Sequence, residues 1–341
     1  MIMLPPVTLK DLAKELGLSV PAVSLGLRHA GNISEATCRR IEEAAKRMGY
    51  RPNPHAAALS SRVHTGAKHG VPLAILRLPL KQNSGHFYPI PHFIDGITRR
   101  AGELGYCAQV LTVEDYATLP RQLRVLYNQG IQGIFLPPVG RNFGAGDIDW
   151  NPFSVVACGR YDQASPFHTI RQEIFESTRL LLNETIRRGY SRICIALVRH
   201  DPEIVDDFAR IAAASVCHPA RGNKIKVHFS STDRRYDFLD WLQKEKVDAV
   251  IGFTAAHYYT MVEAGIKIPE EIGFAALHGW EGEWGGHVSA LMMPDSYAGT
   301  VAANRMDAMI RHHERGIPET AEQIALPGKW KEGTTLPFRG K

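Results

Sequence analysis

Residues 7–24, VTLKDLAKELGLSVPAVS, decide the fold of the amino-terminal end. Thr8 precedes a run of apolar residues with a helical period, and Asp11 follows it at the spacing of a capping box. Gly17 is placed to end this helix, because glycine adopts the positive φ of a helix C-cap without strain. The stretch therefore predicts a short first helix that stops at a tight reversal.

Two further helices are predicted in the next thirty residues or so, which include ISEATCRRIEEAAKRMGYRPN at 33–53. Ser19 is the expected cap of the second helix, and Pro21 falls in its first turn, where a missing N–H is tolerated. Ser34 is the expected cap of the third helix, whose inward residues are Ile41, Ala44, Ala45 and Met48. Any three-helix bundle shares such caps. The helix lengths, the glycine at the turn and the short spacing together favour a helix-turn-helix that binds DNA.

The charge distribution agrees with this interpretation. Residues 1–64 contain nine Lys and Arg against five Asp and Glu, so they carry +4 of the chain's formal net charge of +5. A localised positive charge attracts phosphates and releases counterions from DNA.

From Val7 to Leu59 the sequence closely resembles the lactose/galactose repressor family of bacteria. The resemblance implies that the second helix is the recognition helix, which faces the major groove. Its implied base-facing residues are Ser19, Val20, Pro21, Ser24 and Leu25. The implied phosphate contacts come from Thr8, Arg28, Asn32, Ser34, Thr37, Tyr50 and Asn53.

The segment from Pro54 to Ser61 resembles the hinge helix of that family, which folds only on operator DNA. Ala56 and Leu59 match the pair that the family inserts into the minor groove. An apolar wedge of this kind unstacks a base step and kinks the duplex, so that more protein meets the DNA. The alternative for Leu59 is an ordinary linker leucine.

The recognition helix departs from the family at three positions. Leu25 stands where the family usually has a base-reading Arg, and Val20 and Pro21 replace polar residues. We therefore expect readout to depend less on hydrogen bonds to guanine and more on apolar contact with thymine methyls. DNA shape and the hinge wedge would supply more of the specificity.

Composition excludes several other classes of protein. With 341 residues, 44% of them hydrophobic, the chain can bury more than one core. Its five cysteines are scattered without metal-ligand spacing, and its fifteen histidines include no H-x-x-x-H run, so neither a metal nor a cofactor is expected. No secretory signal and no apolar run of about 18–20 residues is evident, so we expect a cytoplasmic protein without a membrane segment.

Beyond a polar linker at residues 60–70, short apolar runs alternate with amphipathic helices, and the alternation restarts after about residue 170. The predicted strands are 72–76, 106–111, 133–136, 154–157, 193–198, 226–229, 249–253 and 273–277. The predicted helices are 93–104, 119–128, 173–188, 236–244, 255–264 and 299–311. This rhythm predicts an α/β fold with two lobes, each a doubly wound parallel sheet.

The family resemblance extends more faintly into this part, which looks like a regulatory domain similar to periplasmic sugar-binding proteins. Met293-Pro294-Asp295 resembles its crossover back to the first lobe. The expected domains are a helix-turn-helix at 1–53, a hinge helix and linker at 54–70, and an effector and dimerisation domain at 71–341, with lobe 1 at about 71–168 and 295–325 and lobe 2 at about 169–294.

The effector site departs from the sugar-binding members. They carry an Asn-Asp pair and an Asp-Asp pair after two strands, where this chain has Thr254-Ala255 and His278-Gly279-Trp280. His278, Trp280 and Trp284 could stack on a flat ligand or could be loop packing. Because ligands bind at strand-end loops in doubly wound folds, the candidate effector residues are Phe87, Tyr88, Arg160, Arg210, Thr254, His278 and Trp280.

These features predict a sequence-specific transcriptional regulator, most often a repressor in this family, that binds a near-palindromic operator as a homodimer. A small-molecule effector, with a sugar or sugar derivative as one candidate, would modulate its affinity for DNA. The alternatives are a solute-binding receptor without DNA function and a regulator that does not respond to a sugar. An enzyme is not expected, since no G-x-G-x-x-G, Walker A, nucleophile elbow or H-E-x-x-H motif is visible.

Overall fold

The computed structural model describes most of the chain, with gaps in the linker and in several loops. The described residues are 7–27, 33–48, 50, 70–77, 90–113, 118–136, 148–159, 165–198, 205–217, 225–230, 235–253, 255–279 and 286–339. Contacts divide the chain into two compact units, Met1–Gly70 and Val71–Lys341.

The amino-terminal unit contains three helices, α1 (Leu9–Leu16), α2 (Val20–Gly26) and α3 (Glu35–Met48). Their apolar faces meet around Leu12, Val23 and Ile41, none of which is exposed to solvent. The approach of α2 to α3 is close at Gly26, where a Cβ atom would lie 2.3 Å from Ile41 Cδ1. A side chain at this position would force Ile41 Cδ1 to move, so glycine allows the present packing of α2 on α3.

The second unit begins with sheet A, whose strands are β1 (Val71–Arg77), β2 (Tyr106–Thr112), β3 (Gly133–Leu136), β4 (Ser154–Cys158), β5 (His168–Glu173) and β11 (Gln323–Pro327). Their order is β11-β5-β4-β3-β1-β2, and all pairs are parallel. Sheet A is covered by α4 (Ile90–Glu103), α5 (Leu119–Asn128) and α10 (Asp295–His312). We call this assembly lobe 1.

Lobe 2 is built on sheet B, whose strands are β6 (Ile193–Val198), β7 (Lys226–Ser230), β8 (Ala249–Gly252), β9 (Gly273–Gly279), β10 (Ser289–Met292) and β12 (Lys329–Lys331). Their order is β12-β10-β9-β8-β6-β7, and only β12 runs antiparallel to its neighbour. The helices of lobe 2 are α6 (Ile174–Arg187), α7 (Val205–Val216), α8 (Arg235–Glu245) and α9 (Ala255–Glu263). Strands that are buried on both faces read as continuous apolar runs, which explains why so many were predictable.

The chain passes between the two sheets at three places among the described residues: from β5 into α6, from β10 into α10, and from β11 into β12. Polar contacts tie these crossovers together. Gln172 Nε2 donates to Asp295 Oδ1 at 2.7 Å, and the backbone N–H of Gly328 donates to Ser177 Oγ at 2.9 Å. Rotation of one lobe against the other would have to occur about these segments.

The structure differs from the sequence prediction at the lobe boundary. Strand β5 continues sheet A to Glu173, whereas the prediction gave residues beyond 168 to lobe 2. Residues 329–331 join sheet B although the prediction placed the return to lobe 1 last. Strand β5 is mostly polar, and β12 has only three residues. Both therefore lack the apolar runs that mark the other strands. Helix α7 and strands β10 and β11 were also not predicted.

Candidate functional site

Helix α1 starts at a complete capping box. Thr8 Oγ1 accepts a hydrogen bond from the backbone N–H of Asp11 at 3.4 Å, and Asp11 Oδ2 accepts one from the backbone N–H of Thr8 at 2.8 Å. The Thr8 hydroxyl also donates to Asp11, and this bond, with the backbone one, lowers the pKa of the Asp11 carboxyl. Gly17 ends the helix with φ 66°, as the sequence predicted. The first helix is therefore fixed at both ends.

Helix α2 presents a face of small and apolar side chains to solvent. Ser19 caps it, since Ser19 Oγ accepts the backbone N–H of Ala22 at 3.2 Å. Val23 points inward and is fully buried. The five residues predicted to read bases lie on or beside the outer face, with Ser19, Val20 and Pro21 exposed and Ser24 and Leu25 half-buried. The structure thus brings them together on one short helix.

The start of α3, with Ser34 and Thr37, and Tyr50, two residues beyond its end, hold three of the predicted phosphate contacts. Ser34 Oγ accepts the backbone N–H of Thr37 at 3.3 Å, and the two hydroxyl oxygens lie 2.8 Å apart. Tyr50 packs against the cluster formed by the three helices, and burial raises the pKa of its hydroxyl. The other DNA-contact candidates, Arg28, Asn32, Asn53, Ala56 and Leu59, lie outside the described residues.

Long-range contacts hold α3 against α1. The Arg40 guanidinium donates to the backbone carbonyl of Leu16 at 3.0 Å, and Arg47 pairs with Glu15 at 3.1 Å. The Arg47–Glu15 pair is largely exposed, so its net contribution to stability is small. The apolar cluster of the three helices is therefore the main contact that holds α3 against α1.

In lobe 2, Arg210 of α7 is buried rather than free to meet a ligand. Only 4% of its surface is exposed, its Nη1 donates to Asp207 Oδ1 at 3.0 Å, and its guanidinium lies 4.8 Å from the centroid of the Phe253 ring. Phe253 directly follows β8, so this ion pair lies at the carboxyl end of a central strand of sheet B. Asp207 neutralises the charge of Arg210 at the place where strand-end ligands bind.

His278, near the end of β9, is also buried, with 5% of its surface exposed. Its Nε2 lies 3.5 Å from Gln172 Nε2 and 3.7 Å from Asp295 Oδ2. Gln172 lies near the end of β5, just before the crossover into α6. Asp295 is the first residue of α10, just after the crossover from β10. The structure therefore joins His278 to two polar residues that sequence reasoning did not select.

The remaining effector candidates, Phe87, Tyr88, Arg160, Thr254 and Trp280, lie outside the described residues. Asp295 could have been found from the sequence, because it follows a predicted crossover at the same edge of the sheets. Its contact with Gln172 could not, because 123 residues separate the two along the chain. Asp207 was missed because α7 itself was not predicted.

A second polar cluster of lobe 2 lies between β7, α8 and α9. His257 Nε2 lies 3.3 Å from Ser230 Oγ, and its ring meets Phe238 edge-on at 5.1 Å. Burial lowers the pKa of His257 to about 4. This histidine is therefore a neutral core residue at neutral pH.

Within the described part of the chain, no group of three or more His, Cys, Asp or Glu is placed to hold a metal ion. All five cysteines are free thiols, and burial raises the pKa of Cys158 and Cys194. Not one of the described helices combines the length and apolarity needed to cross a bilayer.

Residues 8–53 match the family model of the bacterial regulatory proteins of the lacI family. Residues 8–53 therefore form a lacI-family domain. The match begins at Thr8 of the capping box and ends at Asn53 beyond α3, so it covers the whole helical unit described above. The resemblance inferred from the sequence is confirmed.

Two curated lacI-family relatives extend the likeness beyond this domain. The maltose regulon regulatory protein MalI of Escherichia coli K12 is 28% identical over 192 residues, which cover 55% of this chain and 52% of MalI. The transcriptional regulator MalR of Streptococcus pneumoniae TIGR4 is 33% identical over 113 residues, or 32% of each chain. The chain thus matches about half the length of the first relative and about a third of the second.

Among solved structures, the lac repressor dimer bound to operator and an anti-inducer matches 98% of this chain and 100% of its own, with a TM-score of 0.54 at 15% identity. A likeness at this identity establishes the fold. The predicted fold class, a helix-turn-helix domain followed by two doubly wound parallel sheets of the periplasmic-binding-protein type, is confirmed.

Proposed function

We propose that the protein is a sequence-specific transcriptional regulator whose affinity for DNA depends on a small-molecule effector. The observation that carries this proposal is the helix-turn-helix of residues 8–53, with its matching family model and the outward face of α2. Two copies of the chain would place two copies of α2 in successive major grooves of a near-palindromic operator. Such a homodimer acts in the cytoplasm, and it acts as a regulator rather than as an enzyme.

The proposed base-reading surface is the solvent face of α2. Leu25 and Val20 can contact thymine methyl groups, while the hydroxyls of Ser19 and Ser24 can reach base edges or phosphates. The residues proposed to contact the DNA phosphates are Thr8, Arg28, Asn32, Ser34, Thr37, Tyr50 and Asn53. Ala56 and Leu59 are the proposed minor-groove wedge, so base-step flexibility would contribute to the choice of operator.

The proposed effector site lies at the carboxyl ends of the strands, between the two sheets. Its candidate residues remain Phe87, Tyr88, Arg160, Arg210, Thr254, His278 and Trp280. A ligand there changes DNA affinity only by the difference between its affinities for the two arrangements of the lobes. A solved relative of the same fold, a transcriptional regulator named CelR, is in complex with cellobiose, which supports a sugar as the first effector class to test.

Selection of bound sites from random duplexes tests the DNA-binding role. We expect an enriched, near-palindromic sequence whose binding weakens steeply with salt. Leu59→Ala should lose the preference for that operator while keeping salt-sensitive binding to unrelated DNA. Lys46→Ala, on the exposed side of α3, is the matched control and should keep the preference.

Equal affinity for every duplex at every ionic strength would overturn the regulator proposal. Equal loss of specific and non-specific binding in Leu59→Ala would overturn only the wedge role. Leu25→Arg gives a further measure of direct readout, because it should shift the preferred base toward guanine in one half-site position.

A further inference from the structure

The described ends of β8 and β9, residues 252–253 and 277–279, contain no carboxylate, yet the structure brings one to this edge from α10. Asp295 opens α10, three residues after the end of β10. Its side chain reaches the vicinity of His278 at the end of β9, where 3.7 Å separates Asp295 Oδ2 from His278 Nε2. The carboxylate therefore lies at the carboxyl ends of sheet B, at the second crossover between the lobes.

Asp295 is almost completely buried and only half satisfied. Its exposed fraction is 5%, and Oδ1 accepts the amide N–H of Gln172 at 2.7 Å. Among the described residues, Oδ2 has no hydrogen-bond partner, since the distance to His278 is too long for one. A buried acceptor without a donor is unusual, because the loss of its hydration is not compensated.

The start of α10 gives Asp295 a favourable field without satisfying Oδ2. Pro294 is the N-cap and provides no side-chain hydrogen bond, and the helix dipole stabilises a negative charge in the first turn. The side chain of Asp295 is oriented through one oxygen by Gln172. The second oxygen is left available to a hydrogen-bond donor.

The nearby charges favour a donor that is neutral or cationic. Arg210, a cation among the effector candidates, also lies at these strand ends. It is already paired with Asp207 at 3.0 Å. This pair contributes no net charge, so it does not offset the charge of Asp295. A phosphate or carboxylate brought to Oδ2 would meet like charge in a poorly hydrated site.

We propose that Asp295 is an effector-binding residue, whose Oδ2 accepts a hydrogen bond from a hydroxyl or an ammonium group of the ligand. This inference rests on the proposed effector-responsive function and narrows its ligand class to donors. Asp295 is linked to lobe 1 through Gln172 and faces His278 of lobe 2. A ligand that donates to Oδ2 would therefore bind between Asp295 and His278, whose separation changes when one lobe rotates against the other.

The test uses the full-length chain and three probes that differ in charge: maltose, glucosamine and glucose 6-phosphate. Melting curves and isothermal titration calorimetry are recorded for the wild type, for Asp295→Asn and for Asp307→Asn. Asp307 lies on the same helix and bonds to Tyr106 and Arg311, far along α10 from the strand ends, so it is a matched control.

We expect maltose or glucosamine to raise the melting temperature, with maltose marking a hydroxyl donor and glucosamine an ammonium donor. Asp295→Asn should weaken the bound probe by roughly tenfold or more, because the amide is a weaker acceptor than the carboxylate. Asp307→Asn should leave the dissociation constant within about twofold. Gln172→Ala keeps the carboxylate but removes its orienting bond, and should weaken the same probe severalfold.

Two results would overturn the inference. One is an unchanged dissociation constant in both Asp295→Asn and Gln172→Ala, with or without a lower melting temperature, which would mean a structural role only. The other is binding of glucose 6-phosphate alone, or of none of the probes. Operator binding is measured on the same samples, so loss of the proposed function is seen separately as wild-type protein that selects no DNA sequence.

Discussion

Lobe 1 and lobe 2 have the same strand order but very different interiors. In each sheet the first five strands follow the order 2-1-3-4-5, and a late strand is added beside the fifth. Lobe 1 fills its faces with residues such as Phe135 and Trp150 and buries His168 in β5, whereas lobe 2 also buries the charged side chains of Arg188 and Asp248. The rhythm of strands and helices therefore sets the topology, while the chemistry of the interior is free to differ.

The two lobes also depend on different kinds of contact. In lobe 1, α4 and α10 touch backbone to backbone at Gly96 and Gly299, where a Cβ atom would lie 1.9 Å from Ser296 O and 2.2 Å from Phe93 O. In lobe 2, the carboxy-terminal segment is fixed by an arginine. Arg188 donates to Glu184, to Glu332 and to the carbonyl of Leu336, and its guanidinium lies near two aromatic rings.

The largest effect should come from breaking the helix contact of lobe 1. Gly96→Ala forces α4 and α10 apart and should lower the free energy of unfolding of lobe 1 by roughly 3 kcal/mol or more. Hydrogen exchange of peptides from β1 and β3 measures this loss locally. Gly102→Ala in the same helix meets no atom within 4 Å, so it should stabilise the lobe slightly. Equal effects of the two substitutions would contradict the close-contact explanation.

A slightly smaller effect is expected in lobe 2. Arg188→Met removes the shared partner of Glu184 and Glu332, and should destabilise lobe 2 by about 3 kcal/mol, since the buried carbonyl of Leu336 loses its donor and Glu184 keeps only Arg187. Exchange should accelerate in β6 and β10 and remain unchanged in β1. Arg179→Met, which breaks an exposed pair with Glu176, is the control and should change neither lobe. A loss shared equally by both lobes would show that their stabilities are not separable.

The smallest effect is a pH dependence of lobe 2 that comes from His257. The pKa of His257 is about 4 in the folded protein, below its ordinary value near 6.5, so the unfolded state binds more protons in between. Stability is complete above pH 6.5, falls by about 2 kcal/mol at pH 5 and continues to fall toward pH 4. His257→Phe should flatten this part of the exchange profile in lobe 2, whereas His168→Phe in lobe 1 should not. An unchanged slope in His257→Phe would exclude the histidine as its source.

Most of the fold was predictable because its signals are local. Helix α5 at 119–128 and strands β3 and β6 agree with the prediction at both ends, since each is an apolar or amphipathic run bounded by turn residues. The caps of α1 and α2 were predictable for the same reason. Strand β5, HTIRQE, was missed because it lacks an apolar run and its polar residues meet partners distant in sequence, such as Asp295, which bonds to Gln172.

The candidate sites likewise differ in whether local sequence signals predict them. The face of α2 follows from helix periodicity and caps, so its residues could be grouped from the sequence alone. Gln172, His278 and Asp295 come together at two of the crossovers between the lobes, and no local pattern encodes that meeting. Helix α10 also begins four residues earlier than predicted, at Asp295 itself, because Pro294 starts the helix where apolar periodicity is weak.

The strand crossovers have a consequence for biosynthesis. Lobe 1 needs α10 and β11, and lobe 2 needs β12, so sheet A requires translation as far as residue 327 and sheet B as far as residue 331. The three helices of residues 9–48 need nothing that follows them in the lobes. During translation the amino-terminal helices can therefore emerge and fold first, while both sheets still wait for the last tenth of the polypeptide.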